Sequence, residues 1–404
     1  MKEKVKATDF NVSEFNFVPD VTSRWFLPKR VYITDETLRE GEETPGAIMT
    51  TESKLEIAEI LESMGVYETN VGYVSTNKDH AEFARKVKKR CKKLETSAYI
   101  RVYGEKGDFK DRVKYAMDNG VDRIAVIVPV SEYQFKVRKN FSKWKAFEDA
   151  IVCTRKAKEC GVKITFAPYD TSRTDIDYLK ILYKTAVSEG ADRVLAYDTI
   201  GVLCPDATFY WLRELKKAVG VPFQYHCHND FGLAVANTCA AVTAGVEYID
   251  IVINGLGDRA GNGNFEETVL SLEGLYHVNT GIDTTKLFGL CKLVEKLTKV
   301  ALPANKAVSG MNTFIHESDI HVAALLSGNA AAFEPYQPHV VGQERTIWFG
   351  STTSISSLET MAENMKIKLS DTQIDNIMRE IKAKIDKVGH ATDKEVESFI
   401  KKVK

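Results

Sequence analysis

Eight short runs of apolar, β-branched residues recur between residues 31 and 253, and each is followed by a longer amphipathic segment. This alternation is typical of βα units that form a parallel sheet. The runs predict strands at 31–35, 66–73, 95–102, 122–128, 162–167, 192–197, 221–227 and 248–253. The amphipathic segments predict helices at 51–64, 77–90, 107–119, 142–160, 173–189, 206–219, 230–245 and 264–277.

This repeat predicts an α/β fold of the (β/α)8 type, a TIM barrel, because eight such units fill roughly 250 residues. A doubly wound open sheet is the alternative, but no Gly-rich phosphate-binding sequence follows the first strand. Residues 1–29 lack a clear period and predict an N-terminal arm, and residues 30–280 predict the barrel. Residues 281–404 change in character and predict a smaller, mainly helical C-terminal region with linker, lid or dimerisation roles.

The composition excludes several functional classes. A formal net charge of -1 over 404 residues gives no electrostatic footprint for nucleic acid. No apolar run reaches the ~18 residues of a membrane span, and the N-terminus has no apolar signal core. The seven cysteines are scattered and form no C-x-x-C pair, which favours reduced thiols. We therefore expect a cytoplasmic protein without nucleic-acid or membrane partners.

Unusual polar residues follow the predicted strands at the end where TIM barrels carry their active sites. Arg39 and Glu40 follow the first strand, Asp198 and Thr199 follow the sixth, and a glycine-rich segment, 254–262, follows the eighth. Asp170 follows the fifth strand, and two histidines end the seventh. Such clustering at one end of successive strands predicts a functional site at the barrel mouth.

The two histidines, His226 and His228, point to the same side of their strand because side chains alternate with a period of two. Two neutral imidazoles, a carboxylate and an amide oxygen can hold one divalent ion and leave positions open. Glu40, His226, His228 and Asn262 are the predicted ligands. Mg²⁺, Mn²⁺ and Zn²⁺ all suit this donor set, and two core histidines without a metal are the alternative.

Four further residues are candidates for chemistry, each with a structural alternative. Arg39 could stabilise an oxyanion or form a buried salt bridge. Thr199 could donate to a substrate carboxylate or cap the next helix. Asp258 could face the site or pair with Arg259 in their loop. His316 lies beyond the barrel, where it could act as a general base or be an ordinary surface histidine.

Four motifs together carry a family resemblance. They are D-x-T-L-R-[DE]-G at Asp35–Gly41, H-x-H-N-D-x-G-x-A-x-A-N at His226–Asn237, G-x-G-[DE]-R-x-G-N at Gly255–Asn262, and H-E-S-x-I-H at His316–His321. Over residues 30–350 the chain resembles the acetyl-CoA-dependent 2-oxo acid condensing enzymes of the metal-dependent TIM-barrel lyase superfamily. These are the homocitrate, 2-isopropylmalate and citramalate synthases, and Glu40 is similar to the homocitrate synthase variant.

The resemblance implies an acyltransferase that converts the acyl group to alkyl on transfer, class EC 2.3.3.-. In such enzymes Glu40, His226, His228 and Asn262 surround a divalent metal, Arg39 acts at the carbonyl, and Thr199 binds a carboxylate. Acetyl-CoA is the cosubstrate of a Claisen condensation with a 2-oxo acid. The resemblance also implies a homodimer in which C-terminal segments cover the partner's barrel, and His316 matches a histidine of the catalytic machinery. The chain ends before the position of a leucine-binding regulatory domain, so such feedback is not expected.

Several positions depart from the family pattern around the substrate. Glu43 replaces an amide, Asn70 replaces a strand-two acid, and Ala167 and Tyr169 replace a hydroxyl and a carboxylate on strand five. Residues 350–354 replace a G-K-H-S-G motif. We expect Glu43, Tyr169 and Arg101 to bind substrate and Asp258 to act in catalysis. A metal-dependent aldolase or lyase and a repurposed non-catalytic barrel are the alternative functions.

Overall fold

The computed structural model describes residues 5–138 and 141–403. Eight parallel strands close into a barrel, with the first strand hydrogen-bonded to the eighth, so the predicted TIM barrel is confirmed. The strands are β1 (Tyr32–Asp35), β2 (Glu68–Asn70), β3 (Glu95–Arg101), β4 (Arg123–Pro129), β5 (Lys163–Tyr169), β6 (Arg193–Asp198), β7 (Phe223–Cys227) and β8 (Tyr248–Ile251).

Helices follow the strands along the chain, as βα units require. They are α1 (Pro19–Thr22), α2 (Thr51–Met64), α3 (Lys78–Arg90), α4 (Phe109–Asp118), α5 (Glu132–Lys136), α6 (Lys143–Glu159), α7 (Ile176–Ser188), α8 (Pro205–Ala218), α9 (Ala234–Thr243), α10 (Phe265–Leu275) and α11 (Leu287–Thr298). Capping explains where many begin: the Thr50 hydroxyl accepts the Ser53 N–H at 3.1 Å, which stabilises the start of α2. Gly65, with a φ of 94°, ends the same helix.

Strand β2 is shorter than the predicted run 66–73. Gly72 has a φ of 90°, which extended L-residues do not adopt, and its N–H donates to the Asn70 side chain at 2.8 Å. The chain therefore turns out of the sheet directly after Asn70 and leads into the loop before α3.

An ionic layer fills the end of the barrel opposite the functional loops. Arg193, the first residue of β6, donates to both carboxylate oxygens of Glu68, the first residue of β2, at 2.7 and 2.9 Å. Both side chains are 2% exposed. Arg123, at the start of β4, lies 3.5 Å from the same carboxylate. Buried charges are tolerated when each is paired with an opposite charge. These paired side chains fill the N-terminal end of the barrel, which we call the barrel floor.

The chain divides into two compact units, one formed by residues 14–301 and the other by residues 5–13 with 302–403. The second unit contains a three-stranded sheet of order β11-β10-β9. Its elements are β9 (Ile315–His316), α12 (Asp319–Leu326), β10 (Thr346–Phe349), α13 (Ile355–Asn364), α14 (Asp371–Val388), β11 (Ala391–Thr392) and α15 (Asp393–Lys402). The predicted mainly helical C-terminal region is confirmed.

Residues 5–13 pair with a segment far along the chain. The Asn11 N–H donates to the Pro335 carbonyl at 2.8 Å, and the Gln337 N–H donates to the Asp9 carbonyl at 2.9 Å. The Asn11 side chain donates to the Glu334 carbonyl at 2.8 Å. The second unit is thus built from both termini. In the part of the chain that the structure describes, no helix is long and apolar enough to cross a lipid bilayer.

Candidate functional site

Three ligand-type side chains converge at the C-terminal end of the barrel strands. His226 lies in β7, His228 follows it, and Glu40 begins the turn after β1. The two Nε2 atoms lie 3.4 Å apart, and His228 Nε2 lies 3.4 Å from Glu40 Oε1. One ligand atom from each of the three residues lies within 4.8 Å of the others. All three side chains are buried, and together they could bind one metal ion.

The surroundings of these three residues fit a cation. The neighbouring Asn262 is 1% exposed, and within the described chain its Oδ1 has no hydrogen-bond donor, while its Nδ2 donates to the Leu256 carbonyl at 3.1 Å. Its backbone bridges to His228. A buried amide oxygen without a donor is costly unless a ligand or ion meets it. Glycine is needed at position 257, since a Cβ there would overlap Asn262 Nδ2 and lie 3.1 Å from Glu40 Cγ.

A carboxylate behind His226 orients its ring. His226 Nδ1 lies 3.3 Å from Oδ2 of Asp250, and Asp250 accepts hydrogen bonds from Thr34 and Gln224. A carboxylate near Nδ1 favours a proton on that atom and leaves Nε2 as a lone-pair donor. This is the arrangement in which a histidine binds a metal through Nε2.

The surroundings of Glu40 and His228 favour the deprotonated state of both side chains. Burial alone would raise the pKa of Glu40, but Arg39 and the two histidines lower it to about 2. Burial, reinforced by the neighbouring His226, lowers the pKa of His228 to about 3. The carboxylate is therefore charged and the imidazole neutral at ordinary pH, and metal ligands must be deprotonated in this way.

Arg39 is 7% exposed and sits among carboxylates, so the buried salt bridge considered from the sequence is present. Its guanidinium pairs with Glu40, with Glu36 at 3.3 Å and with Glu43 at 3.4 Å, and it stacks on the Tyr99 ring at 4.6 Å. Burial opposes its charge, yet Glu40 raises the pKa of Arg39 well above its ordinary value. Arg39 is a permanent, fixed cation beside the cluster.

Two further acids lie beside Glu40. Carboxylate oxygens of Glu40, Glu43 and Asp258 lie within 4.8 Å of one another. Burial raises the pKa of Glu43, and the nearby acids raise it further against the opposing effect of Arg39. Arg259 does not take up Asp258, since it pairs with Asp230 at 2.8 Å instead. Asp258 therefore faces the site, as one of the two sequence alternatives expected.

These residues line a cavity of about 290 Å³ at the barrel mouth. Its walls include residues singled out from the sequence and others that were not. The first group is Arg39, Glu40, Glu43, Arg101, Tyr169, Thr199, His226, His228 and Asp258. The second group is Tyr73, Tyr103, Ile127, Arg138 and Tyr197.

The predicted Thr199 and Asp170 take different roles. The Thr199 hydroxyl accepts the Asp170 N–H at 2.8 Å, and α8 begins only after Cys204, so Thr199 is not the cap of that helix. Thr199 also belongs to the cavity lining. Asp170 is buried and accepts from Arg173 at 2.7 and 2.8 Å, so it stabilises the loop after β5.

His316 lies in the other unit. Its Nε2 is 3.3 Å from Glu334 Oε1, and its Nδ1 is 3.2 Å from His321 Nδ1. Glu334 is 2% exposed and is also paired with Arg345 at 2.5 Å. Burial lowers the pKa of His316, while Glu334 opposes that effect. His316 thus lies within ion-pair distance of a buried carboxylate, and its lowered pKa favours the neutral imidazole.

Family models and curated relatives match most of the chain, and a solved structure shares its fold. The HMGL-like family model matches residues 30–294, and a homocitrate synthase post-HMGL domain-like model matches residues 308–389. A 2-isopropylmalate synthase of Methanocaldococcus jannaschii is 40% identical over 381 residues, 93% of this chain and 72% of that protein. A homocitrate synthase of Methanopyrus kandleri is 34% identical over 387 residues, 96% of each chain. The crystal structure of an HMG-CoA lyase from Bacillus subtilis superposes with a TM-score of 0.61 at 21% identity, covering 69% of this chain and 97% of that one.

Proposed function

The chain belongs to the HMGL-like family, and from that premise we propose that it condenses an acyl-CoA, with acetyl-CoA the favoured donor, with a 2-oxo acid. The single observation that supports this most is the buried Glu40, His226 and His228 cluster beside Arg39 at the mouth of an open cavity. A synthase needs such a centre to activate a ketone. The named relatives are synthases of this kind.

In the proposed reaction, the acyl-CoA loses a proton from the carbon next to its thioester carbonyl. That carbon forms a bond to the ketone carbon of the 2-oxo acid, and the ketone oxygen becomes a hydroxyl. Water then cleaves the thioester and releases CoA. The product is a 2-hydroxy-2-carboxymethyl acid, such as homocitrate or isopropylmalate, and the enzyme is an acyltransferase of class EC 2.3.3.-.

Glu40, His226, His228 and Asn262 would hold the divalent metal, which would supply a Lewis acid for the ketone oxygen. The mixed oxygen and nitrogen donors suit Mg²⁺, Mn²⁺ or Zn²⁺. Asp250 lies 3.3 Å from Nδ1 of His226, and the buried Oδ1 of Asn262 has no hydrogen-bond donor among the described residues, so both observations support this assignment.

Arg39 would stabilise the negative charge that grows on the ketone oxygen during bond formation. Its position is fixed before the substrate arrives by Glu36 and by stacking on Tyr99, and fixed donors stabilise transition-state charge without reorganising. Thr199 would donate its hydroxyl proton to the carboxylate of the 2-oxo acid. Glu43, Tyr169 and Arg101 would contact the rest of the substrate.

Proton transfer is assigned to His316 and Asp258. The neutral His316, held by Glu334, would accept the proton from the acyl-CoA, and Asp258 would assist near Arg39. We also propose a homodimer in which the C-terminal region, residues 281–404, meets the barrel of the partner subunit. A cytoplasmic location is proposed because all seven cysteines are free thiols.

A thiol-release assay tests this function. Metal-loaded protein is mixed with acetyl-CoA and one 2-oxo acid at a time, including 2-oxoglutarate, 2-oxoisovalerate, pyruvate and oxaloacetate. We expect CoA release that depends on one oxo acid and on the metal, with the condensation product identified by mass spectrometry. Metal-loaded protein that releases no CoA with any acid would instead favour the lyase alternative.

A further inference from the structure

The cavity at the barrel mouth is polarised from one side to the other. Around Arg39 it carries the carboxylates of Glu40, Glu43 and Asp258. The same cavity is also lined by two guanidinium groups, those of Arg101 and Arg138. The lining therefore includes an acidic cluster suited to a metal and two further arginines, and we call Arg101, Arg138 and their neighbours Tyr103 and Tyr169 the cationic wall.

Arg138 is held in place by phenol groups rather than by acids. Its Nη2 donates to the Tyr169 hydroxyl at 2.5 Å and to the Tyr103 hydroxyl at 3.3 Å, and the two hydroxyls lie 2.8 Å apart. Its Nη1 donates to Gln134 at 2.6 and 2.9 Å. Tyr169 is one of the residues that replace the family's strand-five acid and hydroxyl, so this wall belongs to the altered part of the site.

Arg101 is similarly without an acid of its own. Its guanidinium stacks on the Tyr73 ring at 4.1 Å. The nearby Glu105 carboxylate is already engaged, since it accepts from the Arg112 guanidinium and from the backbone N–H of Arg101. Among the described residues, no carboxylate lies within 4.0 Å of the guanidinium nitrogens of Arg101 or Arg138. Two other arginines after barrel strands, Arg39 and Arg173, both have such partners.

Two half-buried guanidinium groups without a counter-charge are suited to an anion. Arginine binds carboxylate, phosphonate or sulfonate groups through paired N–H donors, and the phenol hydroxyls of Tyr103 and Tyr169 add further donors. A branched aliphatic chain would instead displace water from both guanidinium groups without replacing the lost hydrogen bonds, which is energetically costly. Ile127 and the tyrosine rings of the same lining offer apolar surface for a short carbon chain.

We propose that Arg101, Arg138 and Tyr169 select a 2-oxo acid that carries a second anionic group at its far end. This rests on the proposed condensing function, in which the first carboxylate lies at the metal and Thr199. The far anion is a carboxylate, phosphonate or sulfonate, since all three share the chemistry that this wall recognises. Acids with a neutral aliphatic tail are poor substrates.

Matched substrate pairs test the proposal. The 2-oxo acids are 2-oxoglutarate and 2-oxoadipate, their neutral terminal amides, 3-phosphonopyruvate, 3-sulfopyruvate and 2-oxoisovalerate. Both the CoA-release kcat/KM and the binding of each acid to metal-loaded protein without acyl-CoA are measured, the latter by calorimetry. We expect at least one dianion to exceed its neutral amide or 2-oxoisovalerate by about 10- to 100-fold, the value of a charge-assisted contact. The phosphonate and sulfonate arms identify which anion is preferred.

Variants assign the effect to the cationic wall. R138Q and R101Q should each lower the ratio of kcat/KM for the preferred dianion to kcat/KM for neutral-tailed acids by about 10- to 100-fold, mainly through the KM of the dianion, while metal content stays unchanged. Y169F should have a smaller effect in the same direction. K136Q is the matched control, because Lys136 is an exposed cation on α5, close to Arg138 in sequence but outside the cavity lining.

Two outcomes would overturn the proposal: a wild-type preference for neutral-tailed acids, or variants that weaken all oxo acids equally. The proposed function fails differently. If dianions bind selectively but no acid supports CoA release, the condensing function is wrong and the anion-selecting wall stands. If no dianion binds better than its neutral counterpart, the wall is wrong whatever the turnover shows.

Discussion

His228 is the side chain whose removal tests the metal centre most directly, because its Nε2 lies near both His226 and Glu40. We expect H228A to lose bound metal, measured as stoichiometry after dialysis. D250N should lose less, since an orienting partner typically changes affinity about 10- to 100-fold. H339A is the control, because His339 is a half-exposed histidine paired with Asp9 in the other unit. Full metal occupancy in H228A would mean that the ligand set is wrong.

Arg39 separates metal binding from turnover. R39A should keep its metal and lose about 10²- to 10³-fold in kcat, the effect of removing a donor to a developing oxyanion. R39K should rescue little, because lysine lacks the planar fork that meets several carboxylates at once. Metal analysis and circular dichroism control for misfolding. Wild-type turnover in R39A would remove this residue from the mechanism.

His316 gives a pH dependence whose sign follows from its burial. Its pKa is lowered in the folded protein, so the unfolded chain binds more protons at pH values between the folded pKa and the ordinary value of about 6.5. The free energy of unfolding is therefore unaffected by this histidine above about pH 6.5 and decreases as the pH falls towards the folded pKa. H316Q should flatten this part of the stability profile measured by urea unfolding.

Glu334 should act on the same titration. It opposes the lowering of the His316 pKa, so E334Q should lower that pKa further, which NMR titration of the imidazole would detect. Turnover should fall because the proposed base, His316, loses its neighbouring carboxylate. An unchanged imidazole titration in E334Q would show that Glu334 does not act on His316.

At the scale of elements, the ionic layer at the barrel floor makes a testable contribution to stability. R193M leaves Glu68 buried with a weakened counter-charge, and breaking a buried pair costs about 3–5 kcal/mol. The double variant R193M/E68L should recover most of this loss, since both charges are removed. R155Q breaks the exposed pair with Glu189 and should leave urea unfolding nearly unchanged. A stable R193M protein would mean that Arg123 suffices for Glu68.

Most of the barrel elements, but not all of their ends, could be predicted from the sequence. Hydrophobic periodicity predicted every barrel strand, because buried parallel strands are continuous apolar runs. The end of β2 could not be predicted, because it depends on the Asn70 side chain accepting the Gly72 N–H. The five-residue helix α5 was also missed, since so short a helix has no period to detect. Arg138 follows α5, so its place in the cavity was not predictable, whereas the shared side of His226 and His228 followed from the period of two along β7.

At the scale of the whole molecule, the N-terminal segment supports the C-terminal unit rather than the barrel. Deleting residues 1–13 should increase amide exchange at residues 334–340, because Asn11 and Asp9 pair there. Exchange in β1–β8 and metal content should not change. The N11A variant, which removes only the side-chain bond to Glu334, is the milder comparison. Unchanged protection at Gln337 after the deletion would contradict this role.

The domain bounds predicted at residues 29 and 280 stay a prediction. The compact units of the structure divide after residues 13 and 301, so the chain leaves one unit, forms the other and returns. Periodicity cannot reveal this, because contacts between residues 9–11 and 334–337 link segments without a shared local pattern.

This return of the chain sets an order of events on the ribosome. Domains generally fold as units during synthesis, N-terminal parts first, so the barrel can close once residue 301 has emerged. Residues 5–13 must meanwhile wait without their partners until residues 334–337 have been made. Asn11 donates to the carbonyl of Glu334, and the Glu334 carboxylate lies beside His316. The surroundings of the proposed base are therefore complete only after residues 5–13 have bound to residues 334–337 of the newly made chain.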